Sequence, residues 1–127
     1  MKYLGIDYGD KRIGIAISDS GGKIAFPKKV LFNRPNLMAQ LKSLMEEEEI
    51  SRVVIGLPTA AGGKATEQTE KVKKFAQVLR NTVSISVEFE DELLTTHLVE
   101  QAGIKKENVD EAAAALILQS YLDKLHK

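Results

Sequence analysis

The chain has 127 residues, 43% of them hydrophobic, which is the size of one domain with a single core; one domain over 1–127 is expected. It contains no cysteine, which excludes disulfides, thiolate metal sites and cysteine nucleophiles, and its formal charge of zero argues against a protein that coats nucleic acid by charge alone. No apolar run approaches the ~18 residues of a membrane span. The N-terminal Met1-Lys2-Tyr3-Leu4-Gly5 lacks the layout of a signal peptide, so a cytoplasmic protein with no membrane partner is expected.

Three strand signals come first, over 3–8, 12–18 and 24–32. Their connectors, Asp10-Lys11 and Ser20-Gly21-Gly22, are short enough to predict an antiparallel meander. Pro27 makes the third strand an edge strand or a bulged one. Asn33-Arg34-Pro35-Asn36 opens a helix with Pro35 near its first turn, and Leu37, Leu41, Leu44 and Met45 repeat at helical spacing before the run Glu46 to Glu49. That acidic run reads as a solvated helix face.

Arg52 to Pro58 is a continuous apolar strand of the kind buried on both faces. A loop over 59–66 leads to a helix with Val72, Phe75, Ala76 and Leu79 on one stripe. A fifth strand is predicted from Ser84 to Phe89, next to the acids Glu88, Glu90, Asp91 and Glu92. Two helices follow, over 94–102, stopped by Gly103, and over 108–125, the last with Ala112, Ala115, Leu116, Gln119 and Leu122 at helical spacing. The order β-β-β-α-β-α-β-α-α implies an α/β fold: a mixed five-stranded sheet, three antiparallel N-terminal strands plus two parallel ones, with helices on both faces.

Three carboxylates stand out. Asp7 interrupts an apolar strand, where Asp is depleted and a buried charge is costly without a partner. Glu92 lies just beyond the fifth strand, and Asp110 opens the last helix. They converge at one sheet edge if the first strand is central and flanked by the fourth. Close carboxylates raise one another's pKa unless cations neutralise them. Mg²⁺ or Mn²⁺ is the fitting cation, hard and oxygen-seeking, and two such ions roughly 4 Å apart suit phosphodiester hydrolysis. Plainer readings stand beside this one. Asp7 bonds nearby backbone amides, Asp110 is a helix cap or a first-turn charge, Glu92 is an exposed first-turn acid, and Asp19 is a turn residue bonding the Gly21-Gly22 backbone. The metal reading requires that the carboxylates share one surface and are not locked onto a cation of the chain. Residues 1–34 carry seven Lys/Arg against three Asp, a net +4 that suits a phosphate substrate.

The motif Gly5-Ile6-Asp7-Tyr8-Gly9-x-Lys11-Arg12-Ile13-Gly14-x-Ala16-x-Ser18-Asp19 resembles the opening of the YqgF/RuvX family. Gly56-Leu57-Pro58 with Gly63 and Gln68-x-x-x-Val72-x-x-Phe75-Ala76 is similar to its second block. Asp91-Glu92-x-Leu94-Thr95-Thr96 is similar to the third, and Asp110-x-x-Ala113-Ala114-x-x-Ile117-Leu118-Gln119-x-Tyr121-Leu122 to the fourth. The resemblance implies an RNase H-like fold and a Mg²⁺- or Mn²⁺-dependent nuclease of pre-16S rRNA, with Asp7, Glu92 and Asp110 as catalytic metal ligands. It also implies that Lys11 and Arg12 meet substrate phosphates and that Thr95 and Thr96 stand beside Glu92. The family's usual Arg after Asp-Glu is Leu93 here, which removes a bidentate phosphate contact unless a residue such as Arg12 compensates.

Structured RNA is the partner expected first, pre-16S rRNA in ribosomal precursor particles, bound by a monomer or homodimer. A Holliday junction resolvase is the alternative and requires a dimer with two sites facing one junction. Two further readings are a non-catalytic nucleic-acid-binding protein and an ATP-binding module with the phosphate loop of the actin/sugar-kinase group.

Overall fold

A computed structural model describes residues 1–91 and 109–127. The five strands are β1 (Tyr3–Tyr8), β2 (Arg12–Ser18), β3 (Ala25–Phe32), β4 (Arg52–Leu57) and β5 (Ser86–Asp91). The helices are α1 (Leu37–Glu47), α2 (Glu67–Thr82) and α3 (Val109–Leu125). The helix expected over 94–102 lies outside the described residues.

The sheet runs β3-β2-β1-β4-β5. Short turns leave β1, β2 and β3 antiparallel, while β4 and β5 follow helical connections and pair parallel to β1 and to each other. The first strand is therefore central and flanked by the fourth, as the metal reading required. Pro27 sits on the edge strand at a register shift between Ile15 and Ala16, so both expectations for it hold together. The bulge accommodates a residue that cannot donate to the ladder.

Alternation along β1 and β2 sends Leu4, Ile6, Ile13 and Ile15 to one face, against Leu37, Leu41, Leu44 and Met45 of α1 and Val72, Phe75, Ala76 and Leu79 of α2. Both predicted helical stripes are buried throughout. Helix α2 begins with a capping box in which Thr66 Oγ1 accepts from Thr69 N–H at 3.2 Å and Thr69 Oγ1 accepts from Thr66 N–H at 2.9 Å. The buried Thr69 hydroxyl also donates to the Pro58 carbonyl, which ties the start of α2 to the end of β4.

The opposite face is built of smaller residues and covered by α3. Tyr3, Ala16 and Val54 of the sheet meet Ala114, Ile117, Leu118 and Leu122. A Cβ added at Gly14 would stand 1.9 Å from the Asp110 carbonyl oxygen, and one at Gly5 would stand 2.8 Å from Leu118 Cβ. Only glycine lets α3 approach this closely, so the opening motif fixes where the last helix lies.

Three sequence expectations are corrected. The fifth strand spans Ser86–Asp91 and not 84–89, because Glu88 and Glu90 are strand residues with tertiary partners. Glu90, 5% exposed, accepts from Ser120 Oγ at 2.7 Å and Lys124 Nζ at 2.6 Å, and Glu88 accepts from the Tyr121 hydroxyl. The stripe expected on α3 is also displaced. Ala113, Ala114, Ile117, Leu118 and Leu122 are buried, whereas Leu116 is exposed and Gln119 bonds Ala25 N–H at the start of the edge strand and the Lys23 carbonyl in the turn before it. A helix this rich in Ala, Leu and Ile offers no periodicity to choose the inner face. Finally, Glu48 is not merely solvated. It pairs with Lys2 at 2.7 Å and Lys28 at 3.3 Å, which hold its carboxyl below the usual range and tie the end of α1 to the sheet.

Candidate active site

The order of the strands reverses at β1, whose neighbours are β2 on one side and β4 on the other. Ligand sites of α/β sheets form at the carboxyl ends of strands at such a point, and Asp7 stands there, half-buried and one residue from the end of β1.

Asp7 pairs with Gly14 across the β1–β2 ladder, so the two residues share a face. That face belongs to α3, because Tyr3 and Gly5 lie on it while Leu4 and Ile6 lie on the other. Gly14 in turn lies directly beneath the Asp110 backbone. The glycine therefore brings the first turn of α3, which carries Asp110, over the strand position paired with Asp7. Asp110 occupies the first turn of α3, where a negative charge also opposes the helix dipole. The cap reading and the site reading of this residue are compatible.

Asp110 does not meet the demand that it be free of a cation of the chain. Arg12 Nε lies 3.1 Å from Asp110 Oδ2. The Arg12 side chain is 52% exposed and that of Asp110 is 26% exposed, and ion pairs so open to water contribute about 0–1 kcal/mol. A pair of that strength yields to a divalent cation or a phosphate. Arg12 thus stands at the site, but its partner is a carboxylate where the sequence expectation was a substrate phosphate. Lys11 is exposed on the same turn.

Glu92, Thr95 and Thr96 lie outside the described residues, as does Leu93. The chain reaches Glu92 from Asp91, the last residue of β5, which is in register with Leu57 of β4 and accepts from Thr59 Oγ1 at 3.1 Å. Among the described residues no group of three or more His, Asp or Glu is placed to hold a metal ion. Asp7 and Asp110 supply oxygen-donor side chains, the ligand type that fits a hard divalent cation.

Asp19 belongs to the turn. Its carboxylate accepts from Ile24 N–H at 3.0 Å and Lys23 N–H at 2.8 Å, which lower its pKa, while the Gly22 N–H goes to the Asp19 carbonyl. Sequence reasoning missed Asn33. Its side-chain amide donates to the Tyr8 hydroxyl at 3.0 Å and the Gly9 carbonyl at 3.1 Å, fastening the turn that carries Lys11 and Arg12. Its place in an Asn-Arg-Pro-Asn stretch read only as a helix opening.

Comparison with known structures places the fold in the RNase H-like class. RuvC of Thermus thermophilus in complex with a Holliday junction substrate aligns with 100% of this chain and 97% of its own, with a TM-score of 0.65 at 14% identity. The chain belongs to the RuvX family, described as Holliday junction resolvase, whose model matches residues 1–124. A relative from Chloroflexus aurantiacus named "Putative pre-16S rRNA nuclease" is 41% identical over 94% of this chain and 85% of its own length. A relative of the same name from Nitratidesulfovibrio vulgaris is 39% identical over 97% and 94%.

Proposed function

We propose that the protein is a divalent-metal-dependent nuclease that hydrolyses phosphodiester bonds in pre-16S rRNA during ribosome biogenesis. The observation that carries this reading is the seating of Asp110 on Gly14, in register with Asp7, at the carboxyl end of the central strand. The relatives named for pre-16S rRNA support the substrate.

Asp7, Glu92 and Asp110 would hold Mg²⁺ or Mn²⁺. The cation supplies Lewis-acid stabilisation of charge developing on the phosphate oxygens. Asp7 is positioned by its pairing with Gly14 across the β1–β2 ladder, and the Asp110 backbone by the close seat of α3 on that glycine. Arg12 holds Asp110 in the absence of substrate and turns to phosphate in its presence. Lys11 adds a second cation at the rim, which offsets the loss of a bidentate contact at Leu93. Thr95 and Thr96, next to Glu92 in sequence, belong to the same motif. The activity resides in one domain acting in the cytoplasm; among the described residues no helix is long and apolar enough to cross a membrane.

The test is cleavage of a precursor rRNA 5′ region with Mg²⁺ or Mn²⁺, with chelator, and with Asp7→Asn. Activity is expected only for the native protein with metal, and equal cleavage by Asp7→Asn refutes the assignment. The family description favours a second reading, resolution of four-way DNA junctions by a homodimer. Paired symmetric cuts by a dimer support it, and a monomer that leaves junctions intact excludes it.

A further inference from the structure

We propose that the cleft between α1, α2 and the β1–β2 turn holds one unpaired nucleotide of the RNA substrate, its base on the apolar floor and its flanking phosphates on Arg34, Lys71 and Lys74. The proposal rests on the nuclease reading for the class of substrate and adds to it a second site of contact. The cleft has a volume of about 370 Å³, within the range of small-ligand sites.

Its floor includes Tyr8, Met38 and Phe75. The Phe75 ring is buried at 6% exposed and packs 4.5 Å from the half-buried Tyr8 ring, so the apolar surface open to a base is the exposed part of Tyr8 with Met38 and Val78 beside it. Val78 at the lip is 50% exposed, an apolar side chain with nothing over it among the described residues. The rim is cationic. Lys71 reaches Asp10 at 3.4 Å, but the two side chains are 43% and 62% exposed, so this pair is weak against a phosphate. The Arg34 guanidinium lies 4.8 Å over the Phe32 ring, which holds a planar phosphate-binding group at the mouth.

Position connects the cleft to the carboxylates. Tyr8 follows Asp7 in β1 and turns to the opposite face of the sheet. The turn bearing Lys11 and Arg12 lies between them, pinned to the cleft wall by Asn33. The floor needs an exposed base face, so the occupant is an unpaired nucleotide; a duplex keeps its bases stacked.

The experiment is fluorescence anisotropy with a labelled single-stranded RNA of about twelve nucleotides, an abasic strand of equal length and a duplex, all in chelator so that no strand is cut. The triple variant Arg34→Ala/Lys71→Ala/Lys74→Ala is expected to flatten the log–log salt dependence by about 2, three contacts at about 0.7 each. Val78→Ser, which removes apolar surface without adding charge, is expected to weaken RNA binding about fourfold while leaving the abasic strand unaffected. Any of three results overturns the proposal: an unchanged salt slope in the triple variant, an abasic strand or duplex bound as tightly as RNA, or no RNA binding by the native protein. If the variants leave RNA binding intact but change sedimentation, the cleft is a protein-contact face and the proposal also falls. Because nothing is cleaved in this assay, its outcome is independent of the Asp7→Asn test of the nuclease reading.

Discussion

The two faces of the sheet are built by different rules. Toward α1 and α2 the strands present large aliphatic side chains, and the helices rest on them through a continuous apolar layer. Toward α3 they present Gly5, Gly14 and Ala16, the helix answers with Ala113 and Ala114, and polar pairs join its C-terminal half to β5. The first face buries area, and area is where hydrophobic stabilisation comes from. The second gives up side-chain volume for proximity, so that a helix terminus lands on a strand carboxylate. Stability and site geometry are therefore separable by mutation.

Asp7→Asn should separate them most widely. It keeps the shape and removes the charge, and a loss of several kcal/mol of transition-state stabilisation corresponds to a rate reduction of ~10³-fold or more. Single-turnover cleavage should show this while thermal melting shifts little. On the opposite face, Leu41→Ala removes a fully buried side chain from α1 and is expected to cost about 2–5 kcal/mol in urea denaturation. Cleavage per folded molecule should stay at the native level; a parallel loss of activity would break the separation.

Gly14→Ala tests where the faces' roles meet. Its added carbon would collide with the Asp110 carbonyl, so α3 must shift, costing about 1–3 kcal/mol and moving Asp110 off Asp7. Loss of both stability and activity is the expected result, and a variant that is native in activity would show that the close seat is not what builds the site. Lys124→Met removes one of two partners of the buried Glu90 carboxylate. Because Lys124 is 65% exposed, a cost of about 1 kcal/mol in denaturation is expected.

The smallest effect is that of Asp19→Asn. The native carboxyl is lowered by the Ile24 and Lys23 amides, so the charged form stabilises the fold above the ordinary carboxylate value and the contribution disappears as pH falls through the lowered one. The variant should be weaker than the native protein at pH 7, with the gap closing below about pH 4. A gap that persists at low pH would assign the effect to lost hydrogen-bond geometry instead of charge.

Much of this was readable along the chain, for local reasons. Short turns and alternation announced the β1–β2–β3 meander, and Pro27 announced a bulged edge. The stripes of α1 and α2 chose their buried faces because polar residues fill the rest of each turn. Asp7 was conspicuous because a carboxylate interrupts an apolar strand, whereas Asp110 stood out only through its motif, since an acid suits the first turn of a helix. Other features depended on what packs across space. Strand β5 accommodates Glu88 and Glu90 only because Tyr121, Ser120 and Lys124 of α3 receive them. The inner face of α3 is chosen by Gly5 and Gly14, not by its own nearly uniform apolar surface.

The sequence alone determined the order and type of the described elements, the central role of the Asp7 motif and the family, since these follow from residue periodicity and from motifs in fixed order. Only the tertiary structure decided that the Asp110 backbone sits over Gly14, that Arg12 engages the Asp110 carboxylate, and that a cleft rimmed by Arg34, Lys71 and Lys74 opens behind the same turn. Those outcomes depend on backbone approach and side-chain reach between segments up to a hundred residues apart, distances that no local pattern encodes.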